Sequence, residues 1–245
     1  MRVAFLGANK GMGRALARRM AERGDALFLL GRDIADLEKS ARDLEVRAGK
    51  GRVGVAECDL ERPEGFAPAL DAAEAALGGL DTVVVTAGLF ATQDELERDQ
   101  ELLRRLLAVD FSHTVLFCEE ARGRLLARGG GTLCVFSSVA GERGRKPVAL
   151  YGAAKAGLTR YLEALDHKFR AQGLRTVCVK PGFVKTSMTA GLEPPPFAGE
   201  PEGVAKVVLR AIDRGQPVVY APPIWALVML AIRWLPRAVM RRIQF

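Results

Sequence analysis

Tyr151 and Lys155 stand four residues apart in the stretch VFSSVAGERGRKPVALYGAAKAG, Val135 to Gly157. On a helix, residues at i and i+4 share a face, so an ammonium would sit beside a phenol. A free tyrosine, with a pKa of roughly 10, exchanges protons poorly at neutral pH, and a neighbouring cation lowers that value by favouring the phenolate. Tyr151 is therefore a candidate general acid or base. Ser138 lies upstream, where the apolar run Thr132 to Ser137 reads as a strand end. From there its hydroxyl could donate to a carbonyl oxygen that the tyrosine protonates. Taken alone, Tyr-x-x-x-Lys is a common surface pair, and its weight depends on what positions it.

The elements around it alternate. Arg2 to Leu6 is a short apolar strand that stops at Gly7-Ala8-Asn9-Lys10-Gly11-Met12-Gly13 and gives way to a helical pattern over Arg14 to Arg23. Glycines at a strand-to-helix junction let the backbone approach a pyrophosphate, with helix N-terminal amides facing the anion; the alternative is an ordinary tight turn. The second strand, Ala26 to Leu30, ends in Gly31-Arg32-Asp33. An acid at this strand end suits an unmodified adenosine ribose, whereas a 2′-phosphate needs positive charge. Gly31 holds the acid's place, and Arg32 with Lys10 could converge on that phosphate, which favours NADP(H) over NAD. Against this, Arg32 could pair with Asp33 or Asp36, and Asp33 could cap the next helix.

The third strand, Arg52 to Glu57, leads to Cys58-Asp59-Leu60, where Asp59 could meet an adenine amino group or cap a turn. The fourth, Thr82 to Val85, ends at Thr86-Ala87-Gly88, small residues that would let a cofactor approach the sheet. One long helical stretch is expected from Asp94 to Arg128, with apolar Leu102, Leu103, Leu106, Leu107, Val109 and Phe111 for core or subunit contact. The tyrosine helix follows, to about Gln172, then a sixth strand, Arg175 to Lys180, ending in Pro181-Gly182. Residues 183–203 carry turn chemistry and are a candidate substrate lid. Helix Val204 to Arg214 and strand Pro217 to Tyr220 complete the body. Alternating strands and helices predict one α/β domain over residues 1–221, a doubly wound Rossmann fold with a parallel sheet of about seven strands. Such sheets bind ligands outside the carboxyl ends of their strands, where every polar signal above lies.

With 245 residues, 49% of them hydrophobic, the chain can bury a full core. Its start is a strand running into a glycine turn, and no secretory signal is expected. Cys58, Cys118, Cys134 and Cys178 form no Cys-x-x-Cys pair and read as reduced core residues of a cytoplasmic protein. His113 and His167 lack a metal-ligand spacing, so no metal is expected. The net charge of +7 is concentrated in a tail, residues 222–245, where Arg233, Arg237, Arg241 and Arg242 have no acidic neighbour. A nucleic-acid partner is not expected from that distribution. Ile224 to Ile232 is unbroken apolar sequence, too short for the roughly 20 residues that span a bilayer. An interfacial helix with Trp225 and Trp234 at headgroup depth is one reading, peripheral at the cytoplasmic membrane face. The other is that the tail packs over the substrate pocket or against a second subunit.

Together these motifs resemble the short-chain dehydrogenase/reductase family over nearly the whole chain. The resemblance implies a cofactor loop at Gly7, Gly11 and Gly13, an adenine contact at Asp59, and a family Asn-Ala-Gly motif at Thr86-Ala87-Gly88. It implies a catalytic trio of Ser138, Tyr151 and Lys155 and a nicotinamide turn at Pro181-Gly182. Asn9, Lys10, Met12, Leu60, Val184 and Thr186 are expected to join the cofactor site, as are Tyr151 and Lys155. In that family the tyrosine protonates a carbonyl as the nicotinamide delivers hydride. Three positions depart from the pattern: Leu6 replaces the usual Thr, Thr86 the usual Asn, and Asp110 a catalytic Asn that holds a relay water. A carboxylate at 110 could bind that water but adds charge near the lysine. An NADP-binding redox sensor with little turnover therefore stands beside the carbonyl reductase as an alternative. The stretch Ser137 to Arg145 and the ending Ala221-Pro222, Arg233, Leu235-Pro236-Arg237, Arg241 are similar to bacterial reductases of polyprenyl-phosphate-linked keto-pentoses. A keto-sphingoid base or a soluble ketone are the other substrate classes, and a homodimer or homotetramer is expected.

Overall fold

The chain, in a computed structural model that describes residues 1–49 and 51–243, is built on a single parallel sheet. Its strands are β1 (Arg2–Leu6), β2 (Ala26–Gly31), β3 (Val53–Glu57), β4 (Thr82–Val85), β5 (Gly131–Phe136), β6 (Leu174–Pro181) and β7 (Val218–Ala221). They lie in the order β3-β2-β1-β4-β5-β6-β7, every neighbouring pair parallel. The order reverses between β1 and β4, so the loops after those strands diverge and leave a crevice.

Side-chain alternation decides which helices cover which face. Val3, Phe5, Leu27 and Leu29 point to one side, where they pack with α1 (Gly11–Glu22), α2 (Ile34–Ala48) and α8 (Pro201–Arg214). Ala4, Leu6, Phe28 and Leu30 point to the other, toward α3 (Phe66–Leu77), α6 (His113–Ala127) and α7 (Ala149–Phe169). Both faces are apolar, as strands buried on two sides require. The expected doubly wound architecture of about seven strands is what forms.

The long helix expected over Asp94 to Arg128 is instead α4 (Gln93–Arg98), α5 (Gln100–Leu107), a π-helical turn over Ala108–Ser112 and then α6. Asp99 makes the first break: its carboxylate accepts from the amides of Glu101 and Leu102 at 2.9 and 3.0 Å, starting a new helix. The wider π turn then carries Asp110 inward, where it is fully buried. Residues 183–200 stay largely irregular, with a short helical turn at Ser187–Thr189, and α8 begins at Pro201, earlier than expected.

The tail forms α9 (Ile224–Trp234) and a final turn, α10 (Arg237–Met240). Residues 244 and 245 of the expected tail lie outside the described residues. Trp225 does not sit at a surface as an interfacial reading would have it: with Met229 and Val139 it forms a small buried cluster, and its indole nitrogen donates to the Phe197 carbonyl. Trp234 is exposed. All four cysteines are buried and unpaired. Burial pushes the Cys58 thiol up to about 12 and Cys178 to about 11, so neither is a ready thiolate.

Candidate active site

The glycine turn after β1 owes its composition to crowding. Gly7 has a positive φ of 95°, and a Cβ there would lie 2.6 Å from the Ala87 amide. At Gly13 a Cβ would lie 2.2 Å from the Gly7 carbonyl oxygen. Thr86 fastens the two strand ends together, its hydroxyl donating to the Gly7 carbonyl at 2.9 Å. Side-chain hydroxyl thus replaces the amide the family pattern would place there. The first turn of α1 has no acidic residue and no side-chain cap, so its leading amides are open toward the crevice. That is the anion site a helix N-terminus supplies.

A cleft of about 590 Å³ opens above the crevice. Asn9, Lys10, Gly11 and Met12 line it on one side, and Arg32, Asp59, Leu60, Thr86, Ala87, Gly88 and Thr186 elsewhere along its walls. Lys10 and Arg32 are exposed and form no salt bridge among the described residues. The acids around Arg32 are otherwise engaged: Glu61, which feels its charge, pairs with Arg105 at 2.8 Å. Asp33 caps α2 by accepting from the Asp36 amide at 3.0 Å, and Asp36 accepts from the Asn9 side chain at 2.6 Å. Asp59 accepts from the Glu61 amide at 3.0 Å and lies 3.6 Å from Arg62, so its carboxylate shapes its own turn. His113 has a structural bond, its Nδ1 to the Leu60 carbonyl at 2.6 Å.

Val184 buries its side chain in the core beside α8, and its carbonyl accepts from the Thr189 hydroxyl at 2.7 Å. Like Pro181, Gly182, Tyr151 and Lys155, it stands outside the residues that line the cleft of about 590 Å³ itself. Pro181 and Gly182 end β6 behind the cleft, the Gly182 amide donating to the Ala221 carbonyl at 3.1 Å. An alanine Cβ at Gly182 would lie 2.1 Å from the indole nitrogen of Trp225, so the flat turn is required by α9.

The four reactive side chains meet where the cleft wall passes Gly88, Leu89 and Phe90. Ser138 leaves the end of β5, Tyr151 and Lys155 stand on α7, and Asp110 comes from the π turn. Lys155 Nζ lies 3.6 Å from Asp110 Oδ2 and 5.7 Å from the centre of the Tyr151 ring. Asp110 Oδ1 accepts from the Leu89 amide at 2.7 Å, while Oδ2 has no hydrogen-bond partner. Phe90 packs edge-on against Tyr151 with ring centres 5.1 Å apart. Phe90 is not singled out by the motifs, although an aromatic two residues beyond Gly88 at a strand end is a signal. The Ser137 hydroxyl bonds the Lys155 carbonyl at 2.9 Å and Thr159 at 2.7 Å, fixing α7 to the end of β5.

Burial raises the Tyr151 phenol above its ordinary value; Lys155 pulls it down, Asp110 pushes it further up, and Ser138 favours the ionised form. The lowered phenol expected from Lys155 alone is therefore corrected, because desolvation and the carboxylate outweigh the ammonium. Burial also works against charge on Lys155, but Asp110 and Tyr151 hold its pKa above the usual lysine value. Asp110 itself is raised by burial, against the pull of Lys155 and the Leu89 amide.

The loop after Ser138 is pinned from outside. Glu142 forms a buried ion pair with Lys180 and accepts from Tyr220 at 3.1 Å, and Arg233 of α9 lies 3.4 Å away. Arg143 donates to the Leu235 carbonyl at 2.7 Å and Lys146 to that of Arg241 at 2.8 Å.

Comparison with known proteins places this arrangement. The short chain dehydrogenase family model matches residues 2–196. An uncharacterized oxidoreductase of Mycobacterium tuberculosis is 34% identical over 242 residues, covering 98% of this chain and 96% of that protein. Carbonyl reductase family member 4 of Xenopus tropicalis is 27% identical over 218 residues, 86% of this chain and 90% of that one. Among solved structures, an actinorhodin polyketide ketoreductase variant with NADPH superposes with a TM-score of 0.80 at 23% identity, over 89% of this chain and 95% of that one. A short-chain type dehydrogenase/reductase from Mycobacterium ulcerans gives 0.81 at 22%, over 89% and 86%. The chain belongs to the short-chain dehydrogenase/reductase family of oxidoreductases, which use NAD(P)(H).

Proposed function

We propose that the protein is an NADPH-dependent carbonyl reductase whose substrate is a lipophilic ketone. The observation that carries the reductase reading is the convergence of Ser138, Tyr151, Lys155 and Asp110 from three separate elements beside one wall of the cleft. The cleft suits the cofactor: open α1 amides for a pyrophosphate, and Lys10 with Arg32 for a 2′-phosphate where Gly31 leaves no acid. The bound nicotinamide supplies the hydride. Tyr151 holds the proton that the carbonyl oxygen receives, and its raised pKa keeps that proton in place at neutral pH. Ser138 donates to the same oxygen, and Lys155 balances the phenolate left behind.

A lipophilic substrate is favoured by the apolar surroundings of the lid, where Met188, Leu192 and Phe197 are exposed. A ketone carried on a polyprenyl phosphate fits this reading, as does a keto-sphingoid base. Leu107, Phe111 and Leu116 are exposed apolar side chains available to a homo-oligomer contact. A redox sensor with little turnover is the second reading, favoured by the unpartnered Asp110 oxygen beside Lys155.

The test is NADPH oxidation against a panel of soluble and lipid-linked ketones, with cofactor titrations on the same preparations. Tyr151→Phe should abolish turnover and leave NADPH affinity nearly unchanged, and comparable activity in the variant would sink the mechanism. Arg32→Ala should weaken NADPH far more than NADH; equal losses would remove the 2′-phosphate assignment.

A further inference from the structure

The helix α9 is apolar on every side yet lies at the surface. Trp225 and Met229 are buried, and Val228 and Ile232 pack beside them. At about 100° per residue, Ile224, Leu227, Leu230, Ala231 and Trp234 fall on the opposite face, within roughly a third of a turn. That face is open: Leu227 is 66%, Leu230 55% and Trp234 79% exposed. The one polar residue of α9, Arg233, is turned aside to Glu142. A surface helix normally turns polar residues outward, and this face presents none. Beyond it Arg237, Arg241 and Arg242 are exposed, joined by Val239. No acidic residue stands anywhere between 222 and 243.

We propose that α9 and α10 form a docking surface for an anionic lipid bilayer, with α9 lying flat in the interface and the arginines meeting lipid phosphates. Charge selects this occupant. A second copy docked through the same patch would offer those arginines no carboxylate, because the patch contains none. An anionic bilayer supplies both the apolar layer for Leu227, Leu230 and Trp234 and the counter-charge beside it. No described helix is long and apolar enough to cross a membrane, so the contact is superficial. The hydrogen bonds from Arg143 and Lys146 use tail carbonyls, which leaves the Arg237 and Arg241 guanidinium groups exposed. The inner face of α9 meanwhile holds the Gly182 turn and the Phe197 carbonyl, so the helix is anchored on one side and open on the other. This surface does not depend on the reductase reading.

The experiment is co-sedimentation of the full chain with vesicles of phosphatidylcholine alone and of phosphatidylcholine mixed with phosphatidylglycerol, over a salt series. The wild-type chain should bind the mixed vesicles, more weakly as salt rises, and bind the neutral ones far less. Leu227→Glu with Leu230→Glu should reduce binding more than about tenfold, since two exposed leucines lose their apolar insertion. Arg237→Gln, Arg241→Gln and Arg242→Gln together should weaken binding and flatten its salt dependence. Circular dichroism and NADPH titration check that the variants fold. As a separate readout, Trp234 fluorescence should shift to shorter wavelength with mixed vesicles, and Trp234→Phe should remove that shift. Absence of wild-type binding at low salt, or equal binding by the double leucine variant, overturns the proposal. So does a wild-type dimer that the leucine variant converts to monomer without any vesicle binding, which would assign the face to a second copy.

Discussion

Asp110 is the charge that, beyond their own, most alters the surroundings of Tyr151 and Lys155. It is fully buried, spends one oxygen on the Leu89 amide, and aims the other toward Lys155 without a hydrogen bond. Its charge raises both the Tyr151 phenol and the Lys155 ammonium. Asp110→Asn should therefore lower the Tyr151 pKa. Reduction needs the protonated phenol, so the alkaline limb of kcat against pH should move toward lower pH in the variant. An unmoved limb would mean that the carboxyl carries no charge during turnover. How much of this was legible differs by residue. Tyr151, Lys155 and Ser138 could be read from spacing because i, i+4 geometry is local. The raised phenol could not, since it arises from burial and from a carboxylate 41 positions away in sequence. The burial of the Val184 side chain is illegible for a related reason: after a strand end, a pattern does not tell which residue of an irregular segment turns inward.

The elements were legible where periodicity speaks and obscure where two signals overlap. Alternating side chains in β1 and β2 identify both covered faces of the sheet. The stretch from Asp94 to Arg128 reads as one helix because its leucines continue the helical rhythm through Asp99 and the π turn. Those interruptions depend on a cap and on one inserted residue, and both leave the apolar count unchanged. In α9 the overlap is complete, since a helix apolar on all sides gives no hint of which side is inward. Trp225 settles it by filling the space above Gly182 and holding the irregular segment 183–200 through the Phe197 carbonyl. Trp225→Ala should lower folding stability by about 3–5 kcal/mol in urea denaturation, as large-to-small changes at buried aromatics do. It should also raise KM for the ketone more than it changes NADPH affinity. Unchanged stability would show that α9 is only loosely attached.

At the scale of the whole molecule, the cleft lies at the reversal of strand order and is lined from both halves of the sheet, by residues following β1, β2, β3 and β4 and by Thr186, Ser187 and Met188. A ligand there should stabilise the native state as a unit. With NADPH at a hundredfold excess over Kd, stability should rise by about 2.7 kcal/mol. For a chain of this size that is ~5–10 °C in Tm, measurable by thermal unfolding with and without cofactor. A smaller shift at saturation would mean that cofactor binding and global unfolding are uncoupled. The fastening of the Ser138 loop has a different reach. Glu142, Arg143 and Lys146 are held by Arg233 and by the carbonyls of Leu235 and Arg241, all of which follow the last strand of the sheet. During synthesis on a ribosome, β1 to β6 and α7 leave the exit tunnel before the segment that steadies the loop after Ser138. That loop is thus braced by residues made after every strand it stands on, so its final position waits for α9 and α10.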